Sequence, residues 1–369
     1  MILFLIFGVL SLGETGKTCH DQVIVEGRSY AELINELSII DCTFVRFREY
    51  NGNGGILCLF MSIHLTIDYC SFINCGSSNI GGCIFVENKV DGICDIKNTC
   101  VFGCYATYQS GFGFLEYKNK SKISIAYVSV SNCEKEDTGS GCNIHLYGGD
   151  QSITNLNSSM IYGRHSTSLK ICKFTSNYIK NSNIVSNQGI IDAIIVVLGS
   201  DIEEIQNIAN SNLINNTQKN YATSIIFTQK VSQEISHCVF HGNLCTFLFW
   251  IDKDSELHLN NCQYNYSNHI AAGKIIERQN FVGMATTYNN PHFHTLLCHA
   301  NNPSIPAATQ YVATPQQSII EAKENTIKTK IGLSKFIIFA FGFLCLIFIV
   351  FLIRREKNDG EFHNFSDSP

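Results

Sequence analysis

The stretch CSFINCGSSNIGGCIFVEN, from Cys70 to Asn88, decides the fold of this chain. It combines three cysteines, a glycine pair and two short apolar runs within nineteen residues. Such a dense use of special residues indicates either a catalytic or metal site or one unit of a repeated scaffold. The rest of the sequence distinguishes between these alternatives.

Similar units recur along the chain at a nearly fixed period. Each unit holds an alternating apolar triplet, a polar loop, a pair of small residues and a second alternating run. The small pairs follow one another at intervals of 27, 29 and 30 residues, at Gly54-Gly55, Gly81-Gly82, Ser110-Gly111 and Ser140-Gly141. Looser copies continue to about residue 270. A period of about 20 to 50 residues is typical of a repeat architecture.

The repeated unit is built from strands. Its runs are short, rich in β-branched and aromatic residues, and alternate with a period of two, as in ISIAYVSV from Ile123 to Val130. Helical spacing is absent, which argues against ankyrin, HEAT and TPR solenoids. Two or three strands per period, joined by Asn, Ser and Gly loops, predict one coil of a parallel β-helix. The glycine pairs are then expected at tight corners, with Phe, Ile and Cys facing a narrow core.

The two ends of the chain predict export and a membrane anchor. MILFLIFGVLSLG, at residues 1–13, has the length and apolar character of a signal peptide. FIIFAFGFLCLIFIVFLI, at residues 336–353, contains no charge and is followed by a basic cluster, which marks the cytoplasmic side. We therefore predict a transmembrane helix at 335–353 and a cytoplasmic tail at 354–369. The N-terminal part is expected outside the cell, in a single-pass type I arrangement at the plasma membrane.

Cysteine usage agrees with export. One of the 17 cysteines, Cys345, falls in the predicted span, which leaves 16 in the exported part. An oxidising compartment favours disulfides, and the spacing of a zinc ribbon is absent. Cysteines at matched positions of neighbouring coils, such as Cys58 and Cys83, are expected to join coils, with the connectivity left open. The candidate structural disulfide cysteines are Cys42, Cys58, Cys70, Cys75, Cys83, Cys94, Cys100, Cys104, Cys133 and Cys142.

Four motifs resemble those of a known family. They are GGIL at Gly54–Leu57, GGCI at Gly81–Ile84, FTSN at Phe174–Asn177 and FHGN at Phe240–Asn243, similar to the GG-A-I and F-x-x-N signatures of polymorphic membrane proteins. The chain also resembles the pectin-lyase-like surface proteins of trichomonad-type parasitic protists. This resemblance implies an all-β, right-handed parallel β-helix followed by one transmembrane α-helix. We assign the β-helix ectodomain to residues 23–298 and a Pro-containing stalk to 299–334.

Two further sets of residues are candidate surface features. The N-glycosylation candidates, identified by their Asn-x-Ser/Thr sequons, are Asn119, Asn157, Asn215 and Asn265. Tyr105 and Tyr108 lie in a predicted loop and are candidate surface aromatic contacts. The net charge of -5 gives no reason to expect nucleic acid or an anionic membrane surface as a partner.

Parallel β-helices also carry polysaccharide lyases and hydrolases, whose chemistry needs carboxylates gathered on one face. Asp41, Asp68 and Asp95 recur every 27 residues, but they hold different offsets from the cysteine of each repeat, so they need not share a face. The histidines near predicted strands are His64, His145, His237, His241 and His258, and none belongs to a recognised catalytic motif. We therefore predict no catalytic residue, no cofactor and no metal site.

A rigid rod with neutral, Asn- and Ser-rich faces suits binding better than catalysis. By analogy at the level of the fold, we expect a cell-surface adhesin or receptor-like protein for a host or extracellular protein or glycan. Two alternatives stay open, a polysaccharide-degrading ectoenzyme and a structural coat antigen.

Overall fold

The structure is a computed structural model. It describes residues 17–25, 30–33, 36–50, 52–61, 64–133, 142–164, 167–191, 193–200, 204–219, 224–265, 269–283, 286–291 and 293. In these residues the chain forms a parallel β-solenoid without a helix, which confirms the predicted all-β parallel repeat. The predicted signal peptide, stalk, transmembrane helix and tail lie outside the described residues.

One long sheet of 17 strands follows the solenoid from its first described coil to its last. Each coil contributes either one long strand or two short strands separated by a bend. The strands are Lys17–Val25, Glu36–Val45, His64–Asp68, Ser71–Ile73, Ile93–Phe102, Lys122–Ser131, Asp150–Ser159, Ser176–Lys180, Asn183–Val185, Ile205–Ala209, Asn212–Ile214, Ser232–Ser236, Val239–His241, Glu256–Asn260, Gln263–Tyr264, Lys274–Arg278 and Phe281–Val282.

A ten-stranded sheet forms another face of the solenoid. Its strands are Tyr30–Leu33, Leu57–Met61, Ile84–Glu87, Gly113–Glu116, Ile144–Tyr147, Leu169–Cys172, Ala193–Leu198, Ser224–Gln229, Phe247–Ile251 and His269–Ala271. Two three-stranded sheets lie between the larger sheets in chain order, at Arg48–Glu49, Gly76–Ser77 and Tyr105–Ala106, and at Tyr162–Gly163, Gln188–Gly189 and Thr217–Gln218.

Stacked isoleucines fill the core behind the long sheet. Each is in register with the next and at most 2% exposed: Ile39, Ile67, Ile96, Ile125, Ile153, Ile179, Ile208 and Ile235. Burial of one such side chain contributes about 1.5–3 kcal/mol. The column therefore supplies much of the free energy that holds coil to coil.

The inward position two residues earlier changes character along the solenoid. Leu37, Leu65, Cys94 and Ile123 occupy it in the first coils, and Gln151, Asn177, Gln206 and Gln233 occupy it in the next four. The four amides are at most 2% exposed. Asn177 donates to Gln151 Oε1 at 3.1 Å, and Gln233 Nε2 donates to Gln206 Oε1. The later coils thus replace part of the apolar core by a hydrogen-bonded amide ladder.

Most coils bend twice at a residue in the left-handed region, which interrupts the simple in-and-out alternation expected from the sequence. The first bend, with φ of 44° to 53°, falls at Asp41, Tyr69, Asn98, Tyr127, Asn155, Asn181, Asn210, His237, Asn261 and Gln279. The second bend, with φ of 51° to 64°, falls at Arg46, Asn74, Gly103, Asn132, Met160, Ser186, Asn215 and Gly242. Asn is frequent because its short polar side chain tolerates this conformation.

The glycine pairs form corners, as predicted, and glycine is needed at the two positions of a pair for different reasons. Gly81 has a φ of 68°, and a Cβ there would lie 2.3 Å from the carbonyl oxygen of Ile84. Gly82 allows close stacking, because its Cβ would lie 2.1 Å from the carbonyl oxygen of Gly111 in the next coil. The equivalent pair at Ser140-Gly141 lies outside the described residues.

The residues after the last strand return along the long sheet. Asn212 donates to the carbonyl oxygen of Tyr288 at 2.8 Å and accepts from the Tyr288 N–H at 2.9 Å. Asn290 donates to the carbonyl oxygens of Ser182 and Asn210 at 3.3 and 3.0 Å. This return segment, residues 286–291 and 293, covers outward-facing side chains of three coils.

Candidate functional site

The outward side of the ten-stranded sheet carries a continuous column of mostly apolar and aromatic side chains. Its members are paired in register from coil to coil: Cys58, Phe85, Phe114, His145, Lys170, Val196, Phe227 and Trp250. At about 4.8 Å per coil, this aromatic column is about 34 Å long. Cys58, Phe85, His145 and Val196 are at most 7% exposed, whereas Phe114, Lys170, Phe227 and Trp250 are partly exposed. Apolar surface is therefore available to a partner only at the partly exposed positions.

The rings of the aromatic column touch one another. Phe85 and Phe114 are stacked, with centroids 5.4 Å apart and planes at 14°. His145 meets Phe114 edge to face at 4.7 Å, and Trp250 meets Phe227 in the same way at 5.9 Å. Such contacts add about 0.5–1.5 kcal/mol per pair and fix the rings in place. The rings of Phe85, Phe114 and His145, and those of Phe227 and Trp250, therefore support one another.

His145 is a neutral member of this column. Its Nδ1 accepts from Gln109 Nε2 at 2.6 Å, which places the proton of the neutral ring on Nε2. Burial, with a smaller contribution from the charge of Lys170, lowers the pKa of His145 to about 3. Its buried Nε2 has no hydrogen-bond partner in the part of the chain that the structure describes.

A second outward row runs beside the aromatic column. Glu87, Glu116 and Tyr147 are in register in three successive coils. Burial, and then the negative charge of Glu87, raise the pKa of Glu116. Lys173 Nζ lies 5.3 Å from the centre of the Tyr147 ring. Apolar rings flanked by hydrogen-bonding and charged groups are the usual composition of a binding surface.

The chain matches no known protein family. No curated protein and no solved structure matches it either.

The structure places seven cysteines in two inward columns beside the two bends, with Cys42, Cys70, Cys238 and Cys262 at the first bend and Cys75, Cys104 and Cys133 at the second. At the first bend, the Cys70 thiol donates to the carbonyl oxygen two residues earlier at 3.2 Å, and the Ser182 and Ser211 hydroxyls do the same at 3.0 and 2.9 Å. At the second bend, the Cys104 thiol donates to the carbonyl oxygen of Phe72 in the coil before at 3.4 Å. The cysteines thus act as small hydrogen-bond donors that satisfy carbonyl groups at the bends.

The disulfides predicted for Cys58, Cys70, Cys75, Cys83, Cys94, Cys104 and Cys133 are not present. Ten cysteines of the described residues are unbridged thiols: Cys58, Cys70, Cys75, Cys83, Cys94, Cys104, Cys133, Cys172, Cys238 and Cys262. Cys58 pairs in register with Phe85 and faces outward, so it does not match Cys83 as predicted. Burial raises the pKa of Cys94 to about 12, which leaves its thiol protonated.

The three other cysteines predicted to form disulfides differ from one another. Cys42 is buried at the first bend, and its thiol donates to the carbonyl oxygen of Ile40 at 3.2 Å. Cys142 is also buried, 3.7 Å from the Ser110 hydroxyl. Cys100 is fully buried on the outward side of the long sheet and is disulfide-bonded.

The four sequons do not have equal access to solvent. Asn119, Asn215 and Asn265 are exposed. Asn157 is completely buried on the outward side of the long sheet, where it pairs in register with Asn183. Asn183 in turn donates a hydrogen bond to the carbonyl oxygen of Asn290 in the return segment. The prediction for Asn157 is therefore incompatible with the folded coil, because a glycan on this side chain would have no room.

The two predicted aromatic contacts lie beside the short three-stranded sheet, away from the aromatic column. Tyr108 is 63% exposed, as expected for a surface contact. Tyr105 is half-buried because its ring packs over Gly76, where a Cβ would lie 2.5 Å from the ring. Tyr105 is thus chiefly a packing residue of the coil.

Two of the regularly spaced aspartates, Asp68 and Asp95, contact the same lysine, which their spacing in the sequence did not require. Lys97 Nζ lies 3.5 Å from Asp68 Oδ2 and 3.7 Å from Asp95 Oδ2. Asn98 donates to Asp68 Oδ1 at 2.9 Å. Asp41 lies at the first bend of its coil. The lysine neutralises the two carboxylates, an arrangement that suits an ion pair on the surface rather than acid–base chemistry.

The other predicted histidines are dispersed. His64, His237 and His241 are exposed in different coils. His258 lies 3.1 Å from Glu256 and lines a shallow depression of about 350 Å³ on the outward side of the long sheet. Glu256 also pairs with Lys274 at 2.7 Å, so the charges of this depression are already compensated.

Neither a metal site nor a membrane-spanning helix occurs in the described residues. These residues contain no group of His, Cys, Asp and Glu side chains able to hold a metal ion. They also include no helix long and apolar enough to cross a bilayer.

Proposed function

We propose that this chain is a single-pass cell-surface protein whose right-handed β-helix binds an extracellular protein or glycan through the aromatic column. It acts as an adhesin or receptor-like protein. The apolar segments at residues 1–13 and 335–353 support export and anchoring. The usual right-handedness of connections between parallel strands supports the handedness.

The aromatic column carries the proposal. A row of rings about 34 Å long offers an extended partner, such as an oligosaccharide or a peptide strand, several contacts in line. Phe114, Phe227 and Trp250 are partly exposed, and their rings are held by neighbours. A preorganised aromatic surface loses little entropy on binding, which favours recognition over catalysis.

The test is binding of the full-length chain, displayed on cells, to arrays of glycans and extracellular proteins. We expect the Phe114→Ala and Phe227→Ala variants to weaken binding at least tenfold, because partly exposed rings at such a surface are typical hot spots. Tyr178→Ala is the matched control, since Tyr178 is 37% exposed on the long sheet instead. Equal binding by all three variants would remove the aromatic column from the proposal.

One observation favours a second function, a polysaccharide-degrading ectoenzyme. Glu87 and Glu116 stand in register in neighbouring coils, and the pKa of Glu116 is raised, as a general acid requires. Release of reducing or unsaturated sugar ends from a polysaccharide, abolished by Glu116→Gln, would establish the enzyme. Neither binding nor cleavage by correctly displayed protein would favour the structural coat antigen.

A further inference from the structure

A row of outward side chains on the long sheet is buried. It lies just after the first bend, in register from coil to coil and at most 6% exposed, and consists of Ser71, Cys100, Ser129, Asn157, Asn183 and Asn212. Outward residues before the bend in the same coils are partly exposed, as at Thr66, Asp95, Ser124 and Ser152. An outward side chain is buried only where other residues lie over it, so we call this row the covered row.

The return segment lies over the covered row. Asn183, a member of the row, donates to the carbonyl oxygen of Asn290 at 3.4 Å. Phe293 meets the ring of Tyr69 edge to face, with centroids 6.0 Å apart. Tyr69 is the first bend of the coil that holds Ser71. The return segment therefore runs from the later coils back toward the early ones.

Cys100 stands in the covered row and is disulfide-bonded. A disulfide accepts a Cα separation of about 4.4–6.8 Å, little more than the spacing of one coil. The ten unbridged thiols are excluded as partners. Cys42 lies two coils before Cys100, and Cys245 lies five coils after it. Cys142 lies beside Ser110, at the corner before the ten-stranded sheet.

Three other cysteines remain in the sequence, Cys19, Cys298 and Cys345. The Cα of Cys19 is in register with that of Ile39, three coils and about 14 Å before the coil of Cys100. Cys345 lies in the apolar run at 336–353, which the proposed function places in the membrane. This exclusion of Cys345 rests on the proposed function.

Cys298 follows Phe293 by only five residues. Five extended residues span up to about 17 Å, whereas the coil of Cys100 is about 4.8 Å from the coil that holds Tyr69. The chain is therefore long enough to carry Cys298 to Cys100.

We propose that Cys100 is bridged to Cys298 and that residues 286–298 form one strap over the covered row. The bridge fastens the chain that follows the last coil to an early coil. It closes a loop over most of the solenoid, so the coils between its two ends are held together.

The bridge forms by thiol–disulfide exchange with a low-molecular-weight disulfide such as glutathione disulfide. One protein thiolate attacks glutathione disulfide and releases one glutathione, and the second protein thiolate displaces the other. Two protein thiols are oxidised, one glutathione disulfide is reduced to two glutathione molecules, and these carry the two protons. The oxidising compartment that supplies this disulfide also rests on the proposed function.

The bridge is tested by peptide mapping of the full-length chain in detergent. The chain is unfolded with an alkylating agent and without a reductant, digested with a broad-specificity protease and analysed by mass spectrometry. We expect a linked peptide pair that joins Cys100 to Cys298, and an alkylated Cys19. A link from Cys100 to Cys19 or Cys345, or an alkylated Cys100, would overturn the proposal.

The strap is tested by the labelling rate of an introduced thiol, followed on its own peptide. In the bridged chain, the thiol of Asn157→Cys should react with a maleimide at least tenfold more slowly than that of Thr154→Cys. Thr154 is the matched control, because it is partly exposed on the outward side of the same strand. Equal rates would show that nothing covers the row. Ser159→Cys, another buried outward position of this strand, replaces Asn157→Cys if that variant does not fold.

A second substitution connects the cover to the bridge. Adding Cys298→Ser to Asn157→Cys should raise the labelling rate at least threefold, because the strap loses its covalent attachment. An unchanged rate would contradict a strap held by Cys298. None of these results depends on ligand binding at the aromatic column, so their failure and that of the binding proposal are distinguishable.

Discussion

Cys104 and Asn216 perform the same task in different coils. The Cys104 thiol donates to the carbonyl oxygen of Phe72 at 3.4 Å, and the Asn216 amide donates to the carbonyl oxygen of Ile184 at 2.8 Å. Each acceptor belongs to the coil before and lies at the equivalent position. The asparagines after the second bend in the later coils, Asn216 and Asn243, and the cysteines there in the early coils therefore satisfy the same backbone carbonyl at the second bend.

This equivalence predicts how much stability is lost when Asn216 is replaced. In Asn216→Ala, the carbonyl of Ile184 and the N–H of Asn187, which donates to Asn216 Oδ1 at 3.0 Å, both lose their partner in the buried core. We expect the free energy of unfolding to fall by about 2–3 kcal/mol in urea titrations. Asn207→Ala, on the outward side of the long sheet, is the control and should change it by less than about 0.5 kcal/mol. Equal effects of the two substitutions would refute this role of Asn216.

The stacking of the corners predicts opposite results for two glycines of the early coils. In Gly82→Ala the new Cβ would lie 2.1 Å from the carbonyl oxygen of Gly111, so neighbouring coils must separate. We expect a loss of about 2–3 kcal/mol in the free energy of unfolding. Gly113→Ala meets no atom within 4 Å and should be neutral or stabilise the strand by about 0.5 kcal/mol. Thermal unfolding of both variants tests the comparison, and a neutral Gly82→Ala would count against tight stacking.

The buried amide ladder predicts coupling between neighbouring coils. Gln206→Leu alone removes the Oε1 acceptor of the Gln233 Nε2 group. Gln233→Leu alone removes the donor to Gln206 Oε1. Each single substitution should cost about 1–3 kcal/mol, whereas the double variant should cost clearly less than the sum. Leucine is accepted at the same inward position in Leu65 and Leu257, so its size is compatible with the core. Additive effects in this double-mutant cycle would show that the amides act independently.

The depressed pKa of His145 predicts loss of stability in acid. The unfolded chain binds a proton near pH 6.5, whereas the buried ring does so only near pH 3. The contribution of His145 is therefore intact above about pH 6.5 and is lost progressively as the pH falls toward 3, by up to about 5 kcal/mol. Urea unfolding at several pH values measures this loss.

One variant separates His145 from the carboxylates that also titrate in acid. His145→Phe, which keeps a ring against Phe114, should unfold with a shallower pH dependence below pH 6 than the unsubstituted chain. Identical slopes for the two proteins would contradict a buried neutral His145.

The repeat was predictable from the sequence because its strongest signals are local. The period, the alternation of apolar residues and pairs such as Gly81-Gly82 require no knowledge of the neighbouring coil. The bends were not predictable in the same way. Tyr69, Met160 and Lys173 adopt positive φ without any local preference for it, because stacking on the coils above and below imposes the conformation.

The aromatic column was also hidden in the sequence. Phe85 lies between Ile84 and Val86, so alternation alone does not show that its ring faces outward. The equivalence of Cys104 and Asn216 could not be predicted from the sequence for a related reason. The length of the repeated unit varies between Cys104 and Asn216. Only the strand register shows that these two residues occupy the same position in their coils. Long-range register is the information that a single sequence lacks.

The aromatic column contains a fluorescent residue that can report directly on binding at this surface. Trp250 is the single tryptophan of the chain and lies in this column beside Phe227. The decisive measurement is a titration of the full-length chain with a ligand identified on the arrays, followed by tryptophan fluorescence. We expect saturable blue-shifted emission and protection from acrylamide quenching, both weakened at least tenfold in apparent affinity by Phe227→Ala. Saturable binding of that ligand with unchanged emission and quenching would contradict the account.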